Sequence, residues 1–107
     1  MPEGRVLTEQ EVALELAKLD GWELRDGRLR RQYTFRTFLR AIAFVNSVAY
    51  ISESHGHHPD MTINYNKVTL RLITHSENAL TDRDFALAGD IDDKLGSKLM
   101  ISPEPES

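Results

Sequence analysis

Three of the four histidines in this 107-residue chain lie within four positions, at His55, His57 and His58, and the fourth is His75. An isolated imidazole changes its charge near neutral pH, and its neutral form is a common metal ligand. The chain contains no cysteine, so neither thiolate chemistry nor a disulfide is open to it. The histidine cluster therefore predicts a site of proton transfer or of metal binding.

The residues alone leave three interpretations of this cluster open. The histidines could bind a transition metal together with an oxygen of Glu53 or Asp60, although two histidines four residues apart, the common helical pattern, are missing. The rings could instead be structural, capping a helix end or bonding loop carbonyls. In the third interpretation, two imidazoles act as general acid and general base without a metal, which typically contributes a factor of about 10² to 10⁴ in rate.

The composition is that of a soluble globular domain, with 40% hydrophobic and 28% charged residues. We expect one domain over residues 1–107, with an ordered core at about 6–100 and a frayed tail at 102–107. No apolar stretch approaches the roughly 20 residues of a membrane span, and the first residues lack a secretory pattern. These features predict a cytoplasmic protein that makes no membrane contact.

The charge distribution bears on possible partners. A net charge of −4 disfavours direct nucleic-acid binding. Six of the 13 Lys and Arg residues nevertheless lie between Arg25 and Arg40. Solvated strand and helix faces are the simpler explanation of this basic segment, and a local patch for an anionic partner is the alternative.

The first half of the chain predicts a helix followed by a hairpin. Thr8 and Glu11 have the spacing of a capping box, and apolar residues at helical spacing follow them. Asp26-Gly27 accepts the positive φ angles of a tight turn and is flanked by two extended segments.

A longer helix is predicted by apolar residues at helical spacing, namely Phe38, Ile42, Val45 and Ala49, with Leu39, Ala43 and Val48 widening the stripe. We expect the helix to end near Ser54 or His55, since Gly56 and Pro59 disfavour its continuation. The histidine cluster would then lie where a rigid helix meets a loop, a common location for functional residues.

The second half predicts another hairpin and a last helix. Alternating apolar and polar residues flank a turn expected at Asn66-Lys67, and His75 lies just past the second of these strands. Thr81 to Asp84 opens the last helix. The resulting order, α-β-β-α-β-β-α, predicts an α+β fold with helices on one face of the sheet. Because a small sheet leaves an edge that a second copy could pair with, we expect a homo-oligomer.

Spaced residues across most of the chain resemble a known signature. The run Glu53-x-x-x-His57-His58-Pro59, followed by Tyr65, His75 and Asp84, is similar to that of the pterin-4a-carbinolamine dehydratases. Supporting matches are Leu19-Asp20-Gly21-Trp22, Tyr65-Asn66-Lys67-Val68 and Thr74-His75, so the resemblance extends from about Thr8 to Leu95. It implies a four-stranded antiparallel sheet with helices packed on one face, usually assembled as a tetramer, with a dimer as the alternative. It also implies removal of water from a 4a-hydroxytetrahydropterin to give quinonoid dihydropterin, in tetrahydrobiopterin recycling, with neither a metal nor a cofactor.

The resemblance also implies roles for individual residues. His57 and His75 would be the acid-base pair, and His58 would bind and polarise the pterin. Glu53 would orient the pterin or an imidazole, and Asp84 would orient His75 or anchor the site.

The remaining implied contacts lie around these residues. Thr74 and Ser76 occupy positions that contact the pterin in the family, and Trp22 would form a pocket wall or belong to the core. Gly56 departs from the family, where a polar or acidic residue is frequent, and Ile73 stands where serine is frequent; both adjoin substrate-contacting positions. His55 lies outside the signature and is expected to be solvated.

A non-catalytic role is the alternative that the resemblance itself raises. Animal members of the family also act as dimerisation cofactors for a homeodomain transcription factor, and related proteins serve in assembly. Such a role as a coactivator or assembly cofactor would place no demand on Glu53, His57, His58, His75 and Asp84, and their joint presence favours catalysis.

Overall fold

The computed structural model of the protein describes residues 4–96. The elements follow the predicted order: helix α1 (Glu9–Ala17), strands β1 (Glu23–Arg25) and β2 (Arg28–Thr34), helix α2 (Phe38–His55), strands β3 (Asp60–Asn64) and β4 (Lys67–Leu72), and helix α3 (Asp82–Ile91), which continues as a π-helical segment (Asp92–Gly96). The predicted frayed tail at 102–107 lies outside the described residues.

The four strands form one antiparallel sheet in the order β1-β2-β4-β3, which confirms the predicted α+β fold. Each hairpin contributes one outer and one inner strand, and β2 joins β4 at the centre with Leu29 opposite Leu72. The apolar face of these inner strands forms one buried cluster with α2 and α3, and the opposite face carries polar side chains.

The two hairpin turns differ in how well the sequence located them. Asp26 and Gly27 form the first turn with φ of 53° and 75°, as expected. The second turn is Tyr65-Asn66 rather than Asn66-Lys67, because Lys67 already pairs with Asn64. Tyr65 takes the positive φ of 55°, and the buried Asn66 amide donates to the Phe35 carbonyl at 2.7 Å. The bond from Asn66 to Phe35 holds Asn66 in place, so the turn lies one residue earlier than expected.

Helix α2 has the predicted bounds, and its buried face includes only part of the predicted stripe. Thr37 caps its start, and Gly56, at φ 61°, ends it in the left-handed conformation that glycine adopts without strain. The residues that it buries are Ala41, Phe44, Val48 and Ser52. Of the predicted stripe, Val48 is fully buried and Val45 packs against the core, whereas Phe38, Leu39, Ala43 and Ala49 are exposed. The helix carries apolar residues on two faces, so periodicity alone could not select the one that meets the sheet.

No helix within residues 4–96 is both long enough and apolar enough to cross a membrane.

Candidate active site

Three of the predicted site histidines meet in one cleft. It lies where the end of α2, the segment after β4 and the start of α3 come together, and it has a volume of about 270 Å³. Its lining consists of Gly56, His57, His58, Thr74, His75, Ser76 and Arg83. Each contributing segment adjoins a helix or strand end, so a rigid scaffold holds the lining in place.

His57 is held by a buried carboxylate. Its Nε2 lies 2.6 Å from Oδ1 of Asp84, and its side chain is 9% exposed whereas that of Asp84 is fully buried. Because an ionised carboxylate only accepts hydrogen bonds, Nε2 carries the hydrogen and Nδ1 is the ring nitrogen left to accept a proton. Asp84 thereby stabilises the cationic ring that proton uptake would create.

The residues at the start of α3 hold the Asp84 carboxylate in a fixed position. Thr81 and Asp84 form a capping box, in which the Thr81 backbone N–H donates to Asp84 Oδ2 at 2.9 Å. The Thr74 hydroxyl donates to the same oxygen at 2.8 Å. The N-terminus of a helix also favours negative charge. Of the two roles expected for Asp84, orienting His75 or anchoring the site, its bonds to His57, Thr74 and Thr81 favour the second.

His58 forms a second histidine–carboxylate pair, in a different environment. Its Nε2 lies 2.6 Å from Oε2 of Glu53, in the last turn of α2. The side chains are 60% and 76% exposed. Glu53 therefore orients an imidazole, as one of its two expected roles required, from outside the lining of the cleft.

The remaining lining residues differ in what they offer a ligand. His75 and Ser76 are exposed at the cleft, in the segment between β4 and α3. Thr74 is buried and its hydroxyl bonds Thr81 and Asp84, so it supports the site more than it presents a free group. Gly56 offers backbone where its relatives are expected to carry a polar side chain.

The structure selects one of the two expected positions of Trp22 and corrects the expected position of His55. Trp22 lies in the hydrophobic core, where its Nε1 donates to Asp92 at 2.9 Å, and it does not line the cleft. His55 is half-buried rather than solvated, with Nε2 2.8 Å from Asp90 on α3. Apolar packing places Trp22 in the core, and a contact between α2 and α3 places His55.

Arg83 lines the cleft and was missed by the sequence analysis. Its Nη2 donates to the carbonyls of Gly56 at 2.7 Å and of His55 at 3.3 Å, at the end of α2. A cation suits this negative helix terminus, but Arg83 itself lies in the first turn of α3, where a positive charge is unfavourable. A positive charge at this unfavourable position was the feature of the sequence that could have pointed to Arg83.

The arrangement can transfer protons at two points of one small ligand. His57 and His58 each use Nε2 for a carboxylate, and His75 faces the same cleft from another segment. Within residues 4–96, no three histidine or carboxylate side chains are grouped as a metal site would require. The fold and cleft thus define an α+β protein with carboxylate-supported histidines at a helix end.

Comparison with known proteins places this arrangement in a family. The family model for pterin 4 alpha carbinolamine dehydratase matches residues 5–94, and the chain belongs to that family. A Chloroflexus aurantiacus protein, named by inference as pterin-4-alpha-carbinolamine dehydratase, is 46% identical over 90 residues, covering 84% of this chain and 97% of its own. A Mycolicibacterium vanbaalenii protein of the same inferred name is 47% identical over 91 residues, 85% of this chain and 98% of its own.

Solved structures agree with the fold. A transcriptional coactivator/pterin dehydratase from Brucella melitensis superposes with a TM-score of 0.79 at 35% identity, over 83% of this chain and 97% of that one. A pterin dehydratase-like protein described as a RuBisCO assembly factor of the alpha-carboxysome has a TM-score of 0.62 at 23% identity, over 74% of this chain and 94% of that one. The second likeness concerns the fold alone.

Proposed function

We propose that the protein removes water from a 4a-hydroxytetrahydropterin by histidine acid-base catalysis, in tetrahydrobiopterin recycling. The observation that carries this proposal is the convergence of His57, His58 and His75 on one cleft, with a buried carboxylate behind His57. Membership of the family supports the substrate class.

The reaction requires two proton transfers, and the cleft offers a group for each. In our proposal His57 takes the proton from N5, because Asp84 stabilises the resulting cation. His75 donates a proton to the C4a hydroxyl, the C4a–O bond breaks, water leaves and the C4a=N5 bond forms. His58, oriented by Glu53, polarises the ring system. The two acid-base histidines then exchange protons with solvent.

A stopped-flow assay of hydroxypterin dehydration by the purified protein tests this function. We expect a rate well above the spontaneous one that is unchanged by a metal chelator. A rate equal to the spontaneous reaction would refute the enzyme, and a rate lost with the chelator and restored by a metal would refute the metal-free mechanism.

A partner-binding role is the second candidate. The Brucella melitensis relative is described as a coactivator as well as a dehydratase. Such a role requires an exposed surface, and α2 provides one opposite its buried face. Capture of a stable partner by a protein without dehydratase activity would favour this role over catalysis.

We also propose that the protein is a homo-oligomer. The exposed face of α2 carries Leu39, Ala43, Asn46 and Tyr50, whose 4-3-4 spacing matches the seam of packed helices. Leu39 and Tyr50 are 77% and 80% exposed. Burying such side chains against a second copy would remove apolar surface from water.

A further inference from the structure

The polar face of the sheet carries a cleft that is separate from the histidine site. Its volume is about 450 Å³, within the range typical of small-molecule sites. Its lining consists of Arg25, Asp26, Arg28, Arg30 and Arg71. Four guanidinium groups thus surround one concave space on β1, β2 and β4, and we call it the arginine cleft.

The strand register brings these positive charges directly opposite one another. Arg25 pairs with Arg28 across β1 and β2, and Arg30 pairs with Arg71 across β2 and β4. Like charges at directly opposed positions destabilise a sheet. The register also places Glu23 opposite Arg30 and Asp60 opposite Arg71, so these two arginines each face one unlike charge, whereas Arg25 and Arg28 face only each other.

Three nearby carboxylates, those of Glu23, Asp26 and Asp60, neutralise the charge of the four arginines only in part. Glu23 accepts from Arg30 at 2.7 Å and from Arg25 at 3.3 Å, and Asp60 accepts from Arg28 at 3.2 Å. The hydrogen bond from Arg30, reinforced by the charges of both arginines, lowers the pKa of Glu23 below its usual range.

Asp60 lies opposite Arg71 in the register of β3 and β4, but it forms its ion pair with Arg28. The Nη1 atom of Arg71 donates to the Thr62 hydroxyl at 3.1 Å. Among residues 4–96, no carboxylate forms an ion pair with Arg71. A bound anion would supply the missing negative charge.

We propose that the arginine cleft binds a small free polyanion with two linked phosphate groups, of the size of a nucleoside diphosphate. A planar guanidinium donates two parallel hydrogen bonds to phosphate oxygens, so each opposed arginine pair can hold one phosphate. The two opposed pairs are separated by two residues along β2, from Arg28 to Arg30, which corresponds to about 7 Å. Arginine side chains are long enough to span this distance and to reach two linked phosphates. The volume of the cleft and the overall charge of −4 favour this ligand over a nucleic-acid strand.

Calorimetric titration with inorganic pyrophosphate tests the site on the full chain at low salt. We expect saturable binding to one site, tighter than binding of inorganic phosphate, and weakening as salt is added. Arg71→Gln should lower the affinity about tenfold, because it removes one charged donor. The variant should remain folded, since Arg71 forms no ion pair, faces one like charge and one unlike charge, and can be replaced by an amide that still donates to Thr62.

Arg40→Gln is the matched control, because it removes one exposed arginine from α2, outside the cleft. Equal affinity of wild type and Arg71→Gln, or an equal loss in Arg40→Gln, would overturn the proposal. So would preferential binding of a single-stranded oligonucleotide that depends on Arg71. Binding is read directly, so these outcomes do not depend on dehydratase activity.

Discussion

At the scale of the residue, the site contains two histidine–carboxylate pairs with opposite surroundings. Asp84 is fully buried and also holds the start of α3, whereas Glu53 is largely exposed. The same chemical pairing thus contributes to stability in one case and only to orientation in the other.

The two carboxylates should respond differently to removal of their charge. Asp84→Asn should slow dehydration at least tenfold and lower the free energy of unfolding by about 1–3 kcal/mol, because a buried network loses its acceptor. Glu53→Gln should slow dehydration with a change in stability below about 0.5 kcal/mol. Stopped-flow rates and denaturant unfolding measure both quantities. Equal stability losses in the two variants would contradict this distinction.

Sequence reasoning identified which histidines meet but not which partner each one has. His57, His58 and His75 line one cleft as expected. Which histidine bonds Asp84 depends on the path of the loop between β4 and α3. The spacing of residues in the sequence does not predict that path.

At the scale of the element, the end of α2 is tied to α3 by two contacts. Arg83 donates to the carbonyls that end α2, and Asp90 pairs with His55 outside the lining of the cleft. Since His57 and His58 follow Gly56, the Arg83 contact is the one that holds the loop carrying the two imidazoles.

Arg83 should act by positioning the loop that carries His57 and His58. Arg83→Leu should lower kcat severalfold and shift the NMR signals of the His57 and His58 rings, because the Gly56 carbonyl loses its donor. Arg83→Lys should recover part of both, since an ammonium can donate to the same carbonyls. A wild-type kcat with unchanged ring signals in Arg83→Leu would disprove this role.

Asp90 should make stability depend on pH. The Lys94 and then the His55 hydrogen bonds hold the pKa of Asp90 below its ordinary 3.8. A depressed folded-state pKa gives stability that is fully present above the unfolded value and lost as pH falls through the folded one.

Asp90→Asn should therefore lower stability near neutral pH by up to about 1 kcal/mol, and its difference from wild type should shrink below pH 3.8. Thermal unfolding across a pH series measures this difference. A difference that does not change with pH would show that the charge of Asp90 contributes nothing.

Element order could be read from the sequence because turns and caps are local. Thr8, Gly56 and the Asp26-Gly27 turn behave as their types predict. The buried face of α2 could not be read in this way, because the helix has a second apolar face and only the sheet determines which one is covered.

At the scale of the whole molecule, the second apolar face of α2 predicts self-association. Leu39→Lys should dissociate the homo-oligomer, because it places a charge in the exposed apolar stripe. Leu14→Lys is the matched control, since Leu14 is 66% exposed on a different helix. Sedimentation equilibrium distinguishes the outcomes. A monomeric wild type, or equal dissociation by both variants, would refute this interface.

The most direct test of the account is the dehydration rate of His57→Ala and His75→Ala, with His55→Ala as the control. His55 belongs to the same cluster but pairs with Asp90 outside the cleft. By stopped flow, we expect each of the first two variants to lose at least tenfold in rate while remaining folded, and the third to retain the wild-type rate. Unchanged rates in both His57→Ala and His75→Ala would contradict the assignment of the acid-base pair.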